Sequence, residues 1–446
     1  MRIIIAGAGD VGFHLAELLA TENQDIVLID SDQDVLDYAG SHLDVLTLLG
    51  DCTSISTLEH ALVNGANLLL AVTTSEQTNL MTCILAKKMG VDRVIARVDN
   101  EEYLECDNEK TICSLGIDQL ISPRALAAAE IERLVHKSSF TDVYDFEQGK
   151  LSLVGITIDR GSPLIGTALS DIRTLRDRKD LQPIAVLRGQ RTIIPRGHTS
   201  LERGDHVYFI TRPEHTSLVA DFVGKRRVEV RSVMIMGGTD LGVATARLLG
   251  EHYSVTLVEK SKRRCQVINR LLSNVLVIRG DYTNFDLLEE EGLSSMDAFI
   301  ALTENSETNI IACLTASNHG VYKTIAQVEN KEYIHISQNI GVDTLINKKL
   351  LAANNIFRYV RKGNIEAITS LQGVDAEVIE YVISKSNQLT RKPLKDLHFP
   401  ETALVGGIIR GEETIIPNGS SQLMIGDKVI VFALPQSIRR LDKLFR

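Results

Sequence analysis

The chain has 446 residues, too many for one ordinary core and about three domains by the usual length prior. Its 44% hydrophobic and 24% charged residues describe a soluble globular balance, and a net charge of −10 argues against nucleic acid as a partner, since only Lys225-Arg226-Arg227 and Lys262-Arg263-Arg264 are dense in cations. No apolar run approaches the ~20 residues that span a bilayer and the N-terminus enters a strand at once, so a cytoplasmic location is expected; the six cysteines and eleven histidines show no CxxC or HExxH spacing, which gives metal catalysis no support.

An apolar run, Arg2-Ile3-Ile4-Ile5-Ala6, meets Gly7-Ala8-Gly9-Asp10-Val11-Gly12, then an apolar-periodic segment through Leu19, then Ile26-Val27-Leu28-Ile29 ending in Asp30. This order predicts strand, glycine turn, helix, strand and acid. Gly7 permits the tight turn, Gly9 clears the backbone approach to a pyrophosphate, and Gly12 lets helix and strand pack closely. The helix opening near Asp10 aims free N–H groups and its positive dipole end at phosphates. Asp30 stands where a carboxylate accepts both ribose hydroxyls and repels a 2′-phosphate, which favours NAD(H) over NADP(H).

Further along, Asp32 to Tyr38 reads as a helix, Val45 to Leu49 as a strand, and Gly50-Asp51-Cys52-Thr53 as a turn into a helix ending near Leu62. Ala66 to Val72 is a strand ending in Thr73-Thr74-Ser75-Glu76, followed by a helix to Met89 and a strand from Val91 to Val98. Such alternation predicts a Rossmann-like, doubly wound parallel sheet with Asp30, Asp51, Thr73 and Arg97 converging at its carboxyl edge. Arg97 can pair there with a ligand phosphate or with a neighbouring acid. Asp51 and Thr53 read equally as a capping cluster or as ligand contacts. Pro123 to Val135 is a helix with small residues at Ala125, Ala127, Ala128 and Ala129, suited to close packing.

From Phe140 to about Phe222 short strands alternate with turns, at Val154 to Ile158, Ile184 to Arg188 and Val207 to Ile210, giving a small α+β module. Its His198 and His206 have no evident nucleophile or paired acid, and a solvated or structural role is expected.

The chain then repeats. Residues 233–242 match residues 3–12 at an offset of 230, and Gly280-Asp281, Thr303, Thr308-Asn309 and Cys313 answer Gly50-Asp51, Thr73, Thr78-Asn79 and Cys83. Glu259 answers Asp30 one residue out of register, and Gly341 to Val360 resembles Gly116 to Val135. Ile193-Ile194-Pro195-Arg196-Gly197 and Gly204-Asp205-His206-Val207 return as Ile415-Ile416-Pro417-Asn418-Gly419 and Gly426-Asp427-Lys428-Val429. The predicted fold class is therefore α/β: two Rossmann-like parallel-sheet domains, each followed by a small α+β domain, in tandem duplication. The second turn departs from the first: Thr239 replaces Gly9, Gln327 replaces Arg97, and Lys260, Lys262, Arg263 and Arg264 follow Glu259. Weak binding, a mononucleotide such as ADP or ATP, or a purely structural role all fit that second turn.

A glycine-fingerprint domain with TxxxxTN after its fourth strand, followed by a module with IIPxG and GDxV, all present twice, resembles the tandem-repeat peripheral subunits of bacterial Trk potassium-uptake systems, whose domains are called RCK or KTN domains. The resemblance covers nearly the whole chain. It implies RCK N-terminal domains at 1–137 and 229–362 and RCK C-terminal domains at 138–224 and 370–446. It further implies a cytoplasmic homo-oligomeric ring, a tetramer, docked on a membrane potassium channel or transporter at the inner membrane and gating it through NAD(H) and adenine nucleotides, ADP or ATP. Carried over by position, the contacts are Gly7, Ala8, Gly9, Asp10, Val11, Gly12, Asp30, Asp51, Cys52, Thr73, Thr74 and Arg97 in the first copy and Gly237, Gly238, Thr239, Asp240, Leu241 and Glu259 in the second. No enzyme activity is expected. The competing reading is an NAD-dependent oxidoreductase, against which stands the lack of a positioned His, Lys or Tyr pair for hydride chemistry.

Overall fold

The computed structural model describes residues 1–20, 24–146, 149–171, 180–189, 191–225, 228–330, 333, 341–360, 365–370, 376–397 and 399–445, with backbone alone at 101, 358–360 and 365–370. These form two compact units, Met1–Ala129 with Asn347–Val360, and Glu130–Ile346 with Arg361–Arg446.

In the first unit, β1 (Arg2–Ala6), β2 (Asp25–Asp30), β3 (Leu46–Leu49), β4 (Leu68–Ala71), β5 (Arg93–Arg97) and β6 (Gln119–Ile121) make a parallel sheet in the order β3-β2-β1-β4-β5-β6. The helices are α1 (Asp10–Ala20), α2 (Gln33–His42), α3 (Ile55–His60), α4 (Glu76–Lys88), α5 (Cys106–Ser114) and α6 (Pro123–His136), the last running on into the second unit. Ile3, Ile4 and Ile5 are fully buried, as expected of a central strand covered on both faces, where an apolar run replaces alternation. Strand order reverses at β1, which pairs with β2 on one side and β4 on the other. The glycine turn therefore leaves the sheet at its topological switch point, where ligands of such sheets lie.

Two local expectations change. The third helix stops at His60, and Leu62 takes φ 55° in the turn that follows, so the helix is shorter than its apolar pattern suggested. Between Arg97 and Pro123 the chain adds α5 and β6, which carry little sequence signal because α5 buries none of its residues and β6 is three residues long.

The second unit holds a small antiparallel sheet of β7 (Asp142–Phe146), β8 (Leu151–Thr157), β9 (Leu181–Arg188), β10 (Arg191–Ile193) and β11 (His206–Thr211), in the order β10-β9-β11-β8-β7, with α7 (Thr216–Val223). A second parallel sheet follows, of β12 (Ser232–Met236), β13 (Ser254–Glu259), β14 (Val275–Arg279), β15 (Ala298–Ala301), β16 (Lys323–Gln327) and β17 (Thr344–Ile346), in the same order as the first. Its helices include α8 (Asp240–Leu249), α9 (Lys262–Leu271), α10 (Phe285–Glu290) and α11 (Ser306–Asn318). After α12 (Lys348–Val360) come β18 (Ile365–Ser370), β19 (Glu377–Val382), β20 (Ala403–Arg410), β21 (Glu413–Ile415), β22 (Lys428–Ala433) and α13 (Pro435–Phe445), and this last sheet repeats the order of the first small one. The two small sheets share one core, in which Leu151, Leu153, Ile184 and Ile210 pack with Val378, Ile409, Ile430 and Phe432.

Helix α12 belongs to the first unit, where it packs on α1, although it follows the second parallel sheet in the chain.

His206 does have a paired acid, contrary to the sequence expectation. Its Nε2 lies 3.0 Å from Asp142 Oδ2, and Thr157 and Thr141 hydroxyls flank the ring at 3.2 Å. The pair meets across β8 over Gly155, where a Cβ would come within 2.7 Å of both side chains. A contact 64 residues long, made through the absence of a side chain on the intervening strand, leaves no local pattern. The role is structural: His206 is buried and Asp142 largely so, and burial pushes the Asp142 carboxyl up while bonds and charges led by His206, with Thr141 and Lys323, more than offset it, leaving it below the usual range.

Candidate functional site

In the first turn the acid at the end of β2 holds the glycine loop. Asp30 Oδ2 accepts from the Ala8 N–H at 2.6 Å and Oδ1 from the Asp32 N–H at 3.0 Å. Gly7 has φ +106°, and a Cβ there would strike Thr73 N at 2.8 Å; one on Gly12 would meet Gly7 O at 1.8 Å. Those two glycines are demanded by the chain itself. Gly9 is different: a Cβ built on it meets nothing within 4 Å. The outer face of the turn at the N-terminus of α1 is bare at Gly9, the side on which such turns meet a pyrophosphate in dinucleotide-binding sheets.

The other edge residues are fixed by an asparagine brace. Asn79 Oδ1 accepts from the Thr73 N–H (2.9 Å) and hydroxyl (2.7 Å), and its Nδ2 donates to Thr73 O (3.1 Å) and Arg97 O (2.9 Å), tying the ends of β4 and β5 together. Arg97 pairs with Asp99 at 3.0 Å while its buried Nε has no partner among the described residues. Asp51 accepts from the Thr53 N–H and hydroxyl at 2.8 and 2.7 Å in the turn ahead of α3, which itself opens at Ser54 without a side-chain cap, and those bonds hold the Asp51 carboxyl below the usual range. Cys52 turns into the core, accepting from the Thr82 hydroxyl at 3.3 Å, and burial pushes its thiol up. Of the first set, then, Gly7, Ala8, Gly9, Asp10, Val11, Gly12 and Asp30 form the turn and its acid, Thr73, Thr74 and Arg97 stand at the same sheet edge, and the Cys52 side chain is directed away from it.

The second turn keeps the frame. Glu259 Oε2 accepts from the Gly238 N–H (2.8 Å) and Oε1 from the Ser261 N–H (2.7 Å), so Glu259 is the structural counterpart of Asp30 despite the one-residue slip. Asn309 makes the same four bonds, to Thr303 and to Gln327 O. Thr239 caps α8, accepting from the Gly242 N–H at 3.1 Å and donating to Leu302 O at 2.8 Å. Arg264 crosses the turn, with Nε on Gly238 O (2.7 Å) and a terminal nitrogen on Asp240 (2.5 Å). A cleft of about 680 Å³ remains here, lined by Gly237, Thr239, Glu259, Lys260, Tyr282 and Thr303 among others. Gln327 points to Glu329 at 3.0 Å as Arg97 points to Asp99.

Residues 3–123 and 233–348 match the TrkA-N domain, and residues 153–224 and 378–446 the TrkA-C domain. The chain is 34% identical over 447 residues to the Trk system potassium uptake protein TrkA homolog of Archaeoglobus fulgidus, covering all of both chains. It belongs to the TrkA family. A second member, the Trk system potassium uptake protein TrkA of Vibrio alginolyticus, is 32% identical, over all of this chain and 99% of its own. The fold is that of the GsuK RCK domain, at TM-score 0.60 and 16% identity over all of this chain and 94% of the other, and of the GsuK channel bound to NAD, at TM-score 0.61 and 16% identity over 78% of that channel chain. Family membership accounts for both expectations drawn from the repeat, the duplicated parallel sheets and the duplicated small modules.

The asparagine brace was visible in the sequence only as part of a repeated TN pair. Glu76, whose Oε2 accepts from the Asp99 and Asn100 N–H groups at 3.0 and 2.8 Å, and Lys349, which pairs with Asp10 across 339 residues of sequence, gave no local signal at all.

Proposed function

We propose that the chain is the nucleotide-sensing regulatory subunit of a Trk-type potassium-uptake system. The first turn binds NAD(H) through the backbone of Gly7, Ala8, Gly9, Asp10, Val11 and Gly12, with Asp30 at the ribose and Thr73, Thr74 and Arg97 at the sheet edge. Asp51 and the Cys52 backbone border the same edge. Bare space over Gly9, beside an acid already fixed on the loop, is the observation that carries this reading. NAD(H) supplies no chemistry to the reading; the chain's groups bind and orient it. The Arg97 Nε without a partner supports a phosphate contact there, and Asp30 with Asp32 disfavours a 2′-phosphate.

The second turn, Gly237, Gly238, Thr239, Asp240, Leu241 and Glu259, takes at most a smaller adenine nucleotide such as ADP or ATP, since Thr239 and Arg264 occupy its face. The protein works as a homo-oligomer, a tetrameric ring, seated on the cytoplasmic face of a membrane potassium channel or transporter. A nucleotide biases that partner by its differential affinity for two arrangements of the ring. No helix among the described residues is long and apolar enough to cross a membrane.

Gly9→Val tests the first site. A Cβ there meets nothing within 4 Å, so the protein is expected to fold normally while NADH binding falls more than about a hundredfold by calorimetry. Unchanged affinity overturns the assignment. NADH absorbance followed during the titration stays constant; steady oxidation with a small-molecule substrate replaces the regulatory reading with an oxidoreductase.

A further inference from the structure

The aspartate that opens the first helix of each parallel sheet carries a cation, and the two copies supply it differently. Asp240 is met by Arg264 from α9, within its own sheet domain, at 2.5 Å. Asp10 is met by Lys349 Nζ, also at 2.5 Å, from the first turn of α12. The start of α12 is capped by Asn347, whose Oδ1 accepts from the Lys349 and Leu350 N–H groups at 3.0 and 3.1 Å.

A lysine in the first turn of a helix opposes the helix dipole and is disfavoured there. Here the N-terminal turns of α1 and α12 and one ammonium group come together, and Asp10, 72% exposed, is the carboxylate that Lys349 meets. Asp30 at the same turn is already taken up by the Ala8 and Asp32 N–H groups, so beside the bare Gly9 turn two positive helix ends and a lysine face a single solvated carboxylate. That is the environment of a phosphate site, and it is assembled from residues 339 positions apart.

We propose that Lys349 is a phosphate-binding residue of the first nucleotide site, brought to it on α12, and that it exchanges Asp10 for the ligand pyrophosphate when nucleotide binds. The inference rests on the nucleotide reading of the first turn. Because α12 directly follows the second parallel sheet, occupancy of the first site is thereby felt by a helix that the second half of the chain supplies.

The test is calorimetric titration of NADH into the full chain and its variants at low and moderate salt. Lys349→Gln is expected to weaken binding roughly five- to tenfold, the order of one partly exposed charge-assisted bond to phosphate, and to flatten the salt dependence. Lys349→Arg restores most of the affinity. Asp10→Asn, which removes the competitor, tightens binding about threefold, and the double variant Asp10→Asn with Lys349→Gln behaves as Lys349→Gln alone. Thermal melts without nucleotide confirm that the variants are folded. Wild-type affinity in Lys349→Gln, or weaker binding in Asp10→Asn, overturns the proposal. Absence of NADH binding by the wild-type chain instead overturns the nucleotide reading beneath it.

Discussion

The first glycine turn leaves space where the second puts its own atoms. Where the first copy has Ala8 in the loop and Ala39 in α2, the second has Gly238 and Ile268, and a Cβ on Gly238 would lie 2.6 Å from the Ile268 δ-methyl. The methyl lost from the loop has been replaced from the helix. On the other face, Gly9 is bare, while Thr239 folds its hydroxyl back as a helix cap and Arg264 spans Gly238 O and Asp240. Both copies keep the acid on the loop and the asparagine brace. The scaffold and the face of the turn are thus separable: the bonds that hold strand ends together are the same in both copies, and the outward positions differ.

That separation is tested most severely at the brace. Asn79→Leu and Asn309→Leu each leave a threonine N–H, its carbonyl and the carbonyl at the end of the next strand without their side-chain partner, part-buried in the first copy and buried in the second, at about 1–3 kcal/mol per group. Each is expected to lose about 4 kcal/mol in urea unfolding, and by similar amounts, since the four bonds match. A large loss at Asn79 with a small one at Asn309 would mean that the second brace has relaxed along with its turn.

A second contrast lies at the base of the sheets, where Arg93 of the first copy corresponds to Lys323. Lys323 is buried, donating to Phe140 O at 2.7 Å and the Thr344 hydroxyl at 2.9 Å. Burial pulls its ammonium down to about 8, against the charges of Asp343, Asp142 and Glu130, which raise it, and of Lys225, which lowers it further. The folded state therefore gives up this proton before the unfolded state does. Below pH 8 both states are charged and the full cost of burial applies; between pH 8 and the ordinary lysine range the unfolded chain holds more protons, and stability rises by at most about 3 kcal/mol. Lys323→Met removes that rise, measured by urea unfolding at pH 7.5, 9 and 10.

The parallel sheets were legible because their strands are unbroken apolar runs and their turns carry glycines that the backbone demands, as at Gly7 and Gly12. Duplication doubled that signal and fixed Cys83 and Cys313 as core positions, which both are. Contacts made across the fold were not legible. His206 with Asp142, Lys349 with Asp10 and the shared core of the small sheets join segments that no periodicity connects. The charge after Glu259 was visible, yet the sequence could not say that Arg264 would turn onto the glycine loop rather than into solvent.

Thr239 is where the smallest effect separates two causes. Thr239→Ala removes the cap on α8 and exposes the Gly242 N–H, for about 1 kcal/mol in urea unfolding; Thr239→Gly costs only a few tenths, because glycine is itself tolerated at a cap. If the threonine alone closes the second turn, Thr239→Gly gains a second NADH per chain in a calorimetric titration. The expected result is no change in stoichiometry, because Arg264 still lies across the loop with its guanidinium on Gly238 O and Asp240. Adding Arg264→Ala to Thr239→Gly then makes the face of the second turn as bare as the first, and any remaining failure to bind NADH belongs to the exchanges still in place, Gln327 for Arg97 at the sheet edge and the Gly238 and Ile268 pair beneath the loop.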